Sequence, residues 1–548
     1  MTNLEIAQKA KLKPIEEVAE SSGLDKNDYE PLGRYKAKLT FDGMEKLSKS
    51  GKKGKLVLVT AITPTPAGEG KTTMCIGLAQ ALNMGDTSAI PAIREPATAP
   101  LFGQKGGGCG GGYSQVLPME DINLSFTGDI PAVASAHNLL AAMADAHIQH
   151  GNELGLDVRN MNWPRTVTMN DRALRKVVVG LGGKSHGYPR ETEFVVTPAS
   201  EVMAILSLSR SIKELKERLG RIIVGMTRNN NPITAKDLKT NGAMTAILRD
   251  ALRPNIAQTY EGGAAFVHGG PFGNIAHGCS SVVATECGMA MSDFLVTEAG
   301  FAADLGAEKF MNIKCRVLGY GPDVIVLVAT IRALQHHGDE QSQSGIEKGF
   351  ANLLQHIKHL KHYGVPIVVA LNLFPDDSKE EIEKFLSICK QHSLNAVVAD
   401  PWNKGAAGCM ELADAVKKAS LESSEFQFLY DLKDSCEEKL DKIIKLAYGG
   451  ERCELSTSAK RHFEWAKEHG MCEIPICVAK TQYSFTDDSK LKNAPSGFTL
   501  HVNEIRLSAG AGFLVAQAGD ILLMPGLGRN PNAHKIDVDE RGNIVGLF

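Results

Sequence analysis

Thr60-Ala-Ile-Thr-Pro-Thr-Pro-Ala-Gly-Glu-Gly-Lys71-Thr72-Thr73 follows the β-branched run Leu56-Val-Leu-Val-Thr60 and leads into a segment whose apolar residues Cys75, Leu78, Ala79 and Leu82 share one helical face. That order spells strand, turn, helix. A Gly-rich turn at a helix N-terminus offers unpaired backbone N–H groups to an anion, and a lysine beside it adds a full positive charge. The stretch therefore predicts a nucleotide-phosphate loop over Thr65, Pro66, Ala67, Gly68, Glu69, Gly70, Lys71 and Thr72. Thr65 stands where the usual G-x-x-x-x-G-K-[ST] pattern has its first glycine, so the loop is a variant one.

Outward from the loop, apolar runs recur at Leu56–Thr60, Phe194–Thr197, Ile222–Val224, Phe294–Thr297, Val324–Thr330, Val365–Leu371 and Ala396–Asp400. Strands buried on both faces read this way. Amphipathic segments such as Ser211–Leu219 and Lys379–Leu386 separate them. The expected fold is α/β: a phosphate-loop domain with a mostly parallel sheet flanked by helices, and smaller α/β and α+β C-terminal domains. The boundaries are expected near residues 1–360, 361–450 and 451–548, because a charged helical stretch ends at Ala447-Tyr-Gly-Gly-Glu451 and the chain beyond it alternates.

At 548 residues the chain exceeds one simple core, and 43% hydrophobic with 22% charged residues is a soluble, globular composition. A net charge of −3 argues against a general nucleic-acid or membrane-surface binder, which needs a basic excess. The 11 cysteines include no C-x-x-C pair, as expected of reduced thiols in a cytoplasmic protein. Met1-Thr-Asn-Leu-Glu-Ile-Ala-Gln-Lys9 lacks an apolar signal core, and no run is long enough for a membrane span.

In open α/β sheets ligands bind outside the carboxyl ends of the strands, so the residues just after each run carry the chemistry. Arg94 and Glu95 follow Ala89–Ile93, Arg332 follows Val324–Thr330, Asn372 and Phe374 follow Val365–Leu371, and Trp402 follows Ala396–Asp400. Next to Arg94 runs Gly106-Gly-Gly-Cys-Gly-Gly-Gly112-Tyr113-Ser114, where missing Cβ atoms let backbone approach phosphate or a small substrate. Gly106, Gly107, Tyr113, Ser114 and Asp129 form the candidate small-acid site; Asp129 is read as a Mg²⁺ ligand, a partner of Lys71, or a turn residue. His268 and His277 are candidates to polarise a substrate or act as base, with a satisfied structural imidazole the alternative. Cys109 reads as packing, and His336-His337 lacks a third metal ligand.

The segments Thr65–Thr73, Gly110-Gly-Gly-Tyr-Ser-Gln-Val-Leu-Pro-Met-Glu-Asp-Ile-Asn-Leu124, Met169-Asn-Asp-Arg-Ala-Leu-Arg175, Phe266-Val-His-Gly-Gly-Pro-Phe272 and Thr297-Glu-Ala-Gly-Phe301 closely resemble the formate–tetrahydrofolate ligase family, from about Phe41 to the C-terminus. The resemblance implies a cytosolic homotetramer that uses MgATP to phosphorylate formate and passes the formyl group to a nitrogen of tetrahydrofolate. It leaves room for a monovalent cation, and Mg²⁺ enters with ATP rather than at a protein metal site. In that chemistry Lys71, Arg94, Glu95 and His268 are the catalytic residues, and Phe374 and Trp402 sandwich the flat pterin ring. The family usually reads Arg-Glu-Pro-Ser-Leu-Gly-Pro where this chain has Arg94-Glu-Pro-Ala-Thr-Ala-Pro100, and carries histidines at the places of Ser125 and Pro131. These departures keep two alternatives open: a divergent paralogue with another small acid or a mainly ATP-forming direction, and a folate- or nucleotide-binding protein without catalysis.

Overall fold

The apolar runs become strands because each has two faces to bury. Leu56 and Leu58 enter one hydrophobic core while Val57 and Val59 enter another on the opposite side of the same strand. The computed structural model describes residues 1–103, 107–339, 341–519 and 521–547. Its central sheet contains β1 (Tyr29–Pro31), β2 (Ala37–Leu39), β3 (Lys55–Ala61), β4 (Ala89–Ile93), β5 (Asn255–Thr259), β6 (Ala264–Val267), β7 (Phe294–Glu298), β8 (Val324–Ala329), β9 (Ile367–Asn372) and β10 (Ala396–Ala399).

Their spatial order is β1-β2-β5-β6-β4-β7-β3-β8-β9-β10. From β6 to β10 every pairing is parallel, and an antiparallel β1-β2-β5 edge completes the row. Leu58 in β3 lies opposite Thr297 in β7 and Ile325 in β8. A parallel register of this kind brings the carboxyl ends of all seven strands to one edge, so the loops after β3, β4, β6, β7, β8, β9 and β10 become neighbours.

Three expectations change. Helix α1 (Lys71–Leu82) is buried all round from Met74 to Leu82 instead of along one face. A Cβ added at its Gly77 would stand 2.7 Å from Pro401 Cβ and 2.8 Å from Ser114 Oγ, so the helix lies between the sheet and other chain segments. Phe194–Val196 and Ile223–Thr227 are strands, but they pair in small side sheets with Arg165–Val167 and with Leu156–Met161 and Pro232–Thr234. The boundary expected at 360/361 falls inside the central sheet, because β9 and β10 extend the ladder from β8. Beyond residue 451 the chain builds its own ladders, Arg452–Leu455 with Thr499–Val502 and Ile476–Ala479 with Phe513–Gln517 and Glu504–Ser508, while its apolar side chains join the core that holds Leu327. Among the described residues no helix is long and apolar enough to cross a membrane.

Candidate active site

The loop between β3 and α1 is folded by its own carboxylate. Glu69 is fully buried and accepts hydrogen bonds from the Thr65 backbone N–H (2.6 Å), from Thr65 Oγ1 (2.8 Å) and from the Thr330 hydroxyl, with Arg332 Nε 3.7 Å away. Arg332 also donates to the Gly68 carbonyl, and Asn372 Nδ2 donates to the Glu69 carbonyl at 3.1 Å. Gly68 and Gly70 take φ of 79° and 74°, a left-handed conformation open to glycine at little cost. A side chain at Gly70 would also meet Asn372 Nδ2 at 2.5 Å. Gly70 is thereby the N-cap of α1, and Lys71 and Thr72 begin the helix where its dipole favours an anion. Glu69, predicted as part of the nucleotide site, knits the loop together rather than facing outward.

Thr72 Oγ1 donates to Glu298 Oε1 at 2.9 Å. Glu298 ends β7, the parallel neighbour of β3, so strand adjacency delivers a carboxylate to the hydroxyl that follows the loop lysine. Sequence reasoning missed this residue: 226 positions separate the two, and no spacing rule connects them. A hydroxyl and a carboxylate beside a phosphate site are hard oxygen donors that suit Mg²⁺. Among the described residues no group of three or more His, Cys, Asp or Glu could hold a metal ion.

Arg94 and Glu95, after β4, differ from each other. The half-buried Arg94 donates from Nη1 to the Pro271 carbonyl at 3.3 Å, has no partner for Nε among the described residues, and packs so closely on the loop after β7 that a Cβ at Gly300 would lie 3.1 Å from Nη2. Glu95 is buried, anchored through its N–H to the Gly269 carbonyl at 2.8 Å, and one carboxyl oxygen has no partner among the described residues. Burial, then the Asp129 carboxylate, hold its carboxyl well above the usual range, while Lys38 opposes them. Asp129 itself is engaged: Lys38 Nζ lies 2.8 Å and 3.0 Å from its two oxygens, and Asn255 Nδ2 donates at 2.8 Å. The expected Mg²⁺ or Lys71 role for Asp129 is therefore replaced by a buried ion pair with Lys38.

His268 follows β6 on the same edge, yet both ring nitrogens are used, Nδ1 with Ser281 Oγ at 2.6 Å and Nε2 with the Ala251 carbonyl at 2.7 Å. Burial pulls its pKa down to about 4. A neutral imidazole with two bonded nitrogens tethers strand to helix and has no position left for substrate, which corrects its expected catalytic part. His277 is the opposite case. It is fully buried, and neither nitrogen has a partner among the described residues. Burial first, then Lys314, Arg94, Arg218 and Lys309, hold it well below the ordinary range.

Gly106 lies outside the described residues. Gly107 lies so close to Asn123 that an added Cβ would meet Oδ1 at 2.6 Å. The rest of the glycine run serves close approach: at Gly112 (φ 58°) an added Cβ would lie 1.9 Å from the Trp402 carbonyl, which itself accepts from the Tyr113 N–H at 3.0 Å. Ser114 Oγ donates to the Pro401 carbonyl at 2.8 Å, and Tyr113 makes an edge contact with Tyr260. Tyr113 and Ser114 thus dock the glycine turn onto the segment after β10. Trp402 Nε1 donates to Asn3 Oδ1 at 3.0 Å, and the residue remains 37% exposed. Phe374, after the adjacent β9, lies beneath the Arg332 guanidinium at 3.7 Å. The structure brings the phosphate loop, Arg94, Glu298, Phe374 and Trp402 to one edge, with Asp129, His268 and Ser114 engaged within the protein.

The family model described as formate–tetrahydrofolate ligase matches residues 1–548. The chain is 50% identical over 555 residues to proteins named formate–tetrahydrofolate ligase from two strains of Staphylococcus epidermidis, with 100% of each chain covered.

Proposed function

Because this chain belongs to the formate–tetrahydrofolate ligase family, we propose that it uses ATP to convert formate to formyl phosphate and transfers the formyl group to a nitrogen of tetrahydrofolate, releasing ADP and phosphate. The observation that carries this reading is the meeting on one sheet edge of a nucleotide-type loop, the Thr72–Glu298 pair and Arg94, whose Nε has no partner among the described residues. Formate is a poor electrophile because its charge is delocalised, and phosphorylating one oxygen supplies a leaving group. Its attack on the γ-phosphate brings negative charges together, which Lys71 and Arg94 offset. Unit charges 4 Å apart are worth about 4 kcal/mol at an effective dielectric near 20, so two cations supply a substantial part of the barrier reduction. Thr72 and Glu298 would hold Mg²⁺, which neutralises phosphate charge when bound.

The residues after β9 and β10 form the folate side, with Phe374 and Trp402 stacking on the pterin. Region 361–450 contributes these walls as an extension of the nucleotide-binding sheet. We assign no protein ligands to the monovalent cation. A homotetramer is supported by the hairpin Val177–Val179 and Arg190–Thr192, around which Val178, Leu181 and Tyr188 stand exposed.

Product formation from ATP, formate and tetrahydrofolate, each omitted in turn, tests the reaction. The expected result is formylated folate and ADP in equal amounts only when all three are present. ATP and folate binding without turnover would instead establish the non-catalytic alternative, and turnover with a different small acid the paralogue. Light scattering that returns a mass near the single-chain 58.9 kDa would overturn the tetramer.

A further inference from the structure

Cys436 and Cys472 lie 36 positions apart, with their sulfur atoms 3.3 Å from each other. Cys436 opens the helix Cys436–Ile443, where Ser435 is the N-cap, and it is buried. Cys472 lies in the turn between the helix Thr457–Glu468 and the strand Ile476–Ala479, and is half-exposed. Two contacts fix the relation between them. Lys439 Nζ, one helical turn after Cys436, donates to the Cys472 carbonyl at 2.5 Å and to the Ile474 carbonyl at 3.2 Å. The Ile476 N–H donates to Tyr430 Oη at 3.1 Å, which holds the same turn from its other end. The ammonium that ties the two segments also stands beside both sulfurs, while burial, and then the neighbouring Cys472, push the Cys436 thiol up to about 12, which leaves it the protonated partner of the pair.

We propose that Cys436 and Cys472 are a reversible oxidation site, closing to an intramolecular disulfide in the presence of hydrogen peroxide. The half-exposed Cys472 is the attacking group. Its thiolate displaces hydroxide from the peroxide O–O bond, giving a sulfenic acid and, with one proton, water. The Cys436 sulfur then attacks the sulfenic sulfur, an S–O bond breaks, and a second water leaves with the Cys436 proton. Two thiols lose two electrons and two protons in total, and one peroxide becomes two waters. Contraction from 3.3 Å to a bond of about 2.05 Å is a movement of roughly 1 Å, within reach of side-chain rotation. The product joins the helix Cys436–Ile443 to the turn that leads into the Ile476–Ala479 strand. It leaves the sheet edge that carries the phosphate loop chemically unchanged.

The test treats the full-length protein with a small excess of hydrogen peroxide and maps peptides without reductant. The expected product is one species two hydrogens lighter that links Cys436 to Cys472, reverts with dithiothreitol, and raises the unfolding midpoint by about 3 °C. In Cys436→Ser the reaction stops at a Cys472 sulfenic acid captured by dimedone, while in Cys472→Ser no link and no adduct at Cys436 form. Turnover in reductant equal to that of the parent shows that both variants fold. The proposal is overturned if the parent accumulates Cys472 sulfinic acid without the link, or if Cys472 pairs with a second molecule instead.

Discussion

The phosphate loop and the wall between β4 and β7 stand on the same sheet edge, yet they treat polar groups in opposite ways. In the loop the buried Glu69 carboxylate is matched by Thr65, Thr330 and Arg332, so its shape is set by protein alone. At the wall, Arg94 Nε, one Glu95 oxygen and both His277 nitrogens have no partner among the described residues. An unpaired buried polar group costs about 1–3 kcal/mol. The loop is thus a cradle held in shape by its own contacts, and at the wall Arg94 Nε is the donor that the proposed small-acid substrate would meet.

The largest effect should come from the charge at the cradle. Lys71→Ala is expected to leave the fold intact and lower turnover by about two to four orders of magnitude, because a cation facing the transferring phosphoryl group is lost. Near-normal turnover in the folded variant would break the comparison by removing the loop from the chemistry.

Glu69→Gln separates shape from charge. The amide keeps the size but gives up charge-assisted bonds worth about 1.5–3 kcal/mol, so affinity for ATP should fall roughly ten- to a hundredfold while formate affinity changes little. Equal losses for both ligands in binding measurements would mean that loop and wall form one unit.

Trp402→Ala tests the third side of the site. Folate binding should weaken by about 1–2 kcal/mol with ATP binding nearly constant, since stacking acts on the pterin alone. Calorimetric titration with each ligand distinguishes this from a structural loss, which would affect both.

The smallest effect concerns the sealed His268, set against the open His277. Its folded pKa of about 4 lies below the ordinary 6.5, so its neutral form contributes stability that is complete above pH 6.5 and is lost as pH falls toward 4. His268→Gln removes that titration, and stability should decline less by about 1 kcal/mol between pH 6.5 and 5.5. Denaturant midpoints across that range check the slope; an unchanged slope would show that His268 takes up no proton there.

The parallel strands other than β6 were legible because burial on both faces leaves uninterrupted apolar runs. β5 was not, because its buried Asn255, Gln258 and Thr259 are polar and supported by partners distant in sequence: Asn255 meets Asp129, and Gln258 meets Lys13. The same holds for the site. Residues that follow strands could be read one by one, since the sheet aligns their ends, and the phosphate loop could be read from local chemistry. Glu298 opposite Thr72, Lys38 opposite Asp129 and the two bonds that seal His268 are products of strand order, which composition and spacing do not encode. The glycine run was legible as a place of close approach and Trp402 as a residue at the sheet edge, but the contact between them was not.

β9 ends with Asn372 holding the Glu69 carbonyl, and only two residues later comes Phe374, on the proposed folate side. One strand end thus touches the cradle of one substrate and the wall of another. Binding there is subject to reciprocity: by whatever factor bound nucleotide changes the affinity for folate, bound folate must change the affinity for nucleotide by the same factor. Asn372 reaches the cradle through one hydrogen bond and Phe374 through the next two residues of the chain, so altering its side chain tests whether the two ligands can be uncoupled without removing a group that either is proposed to meet.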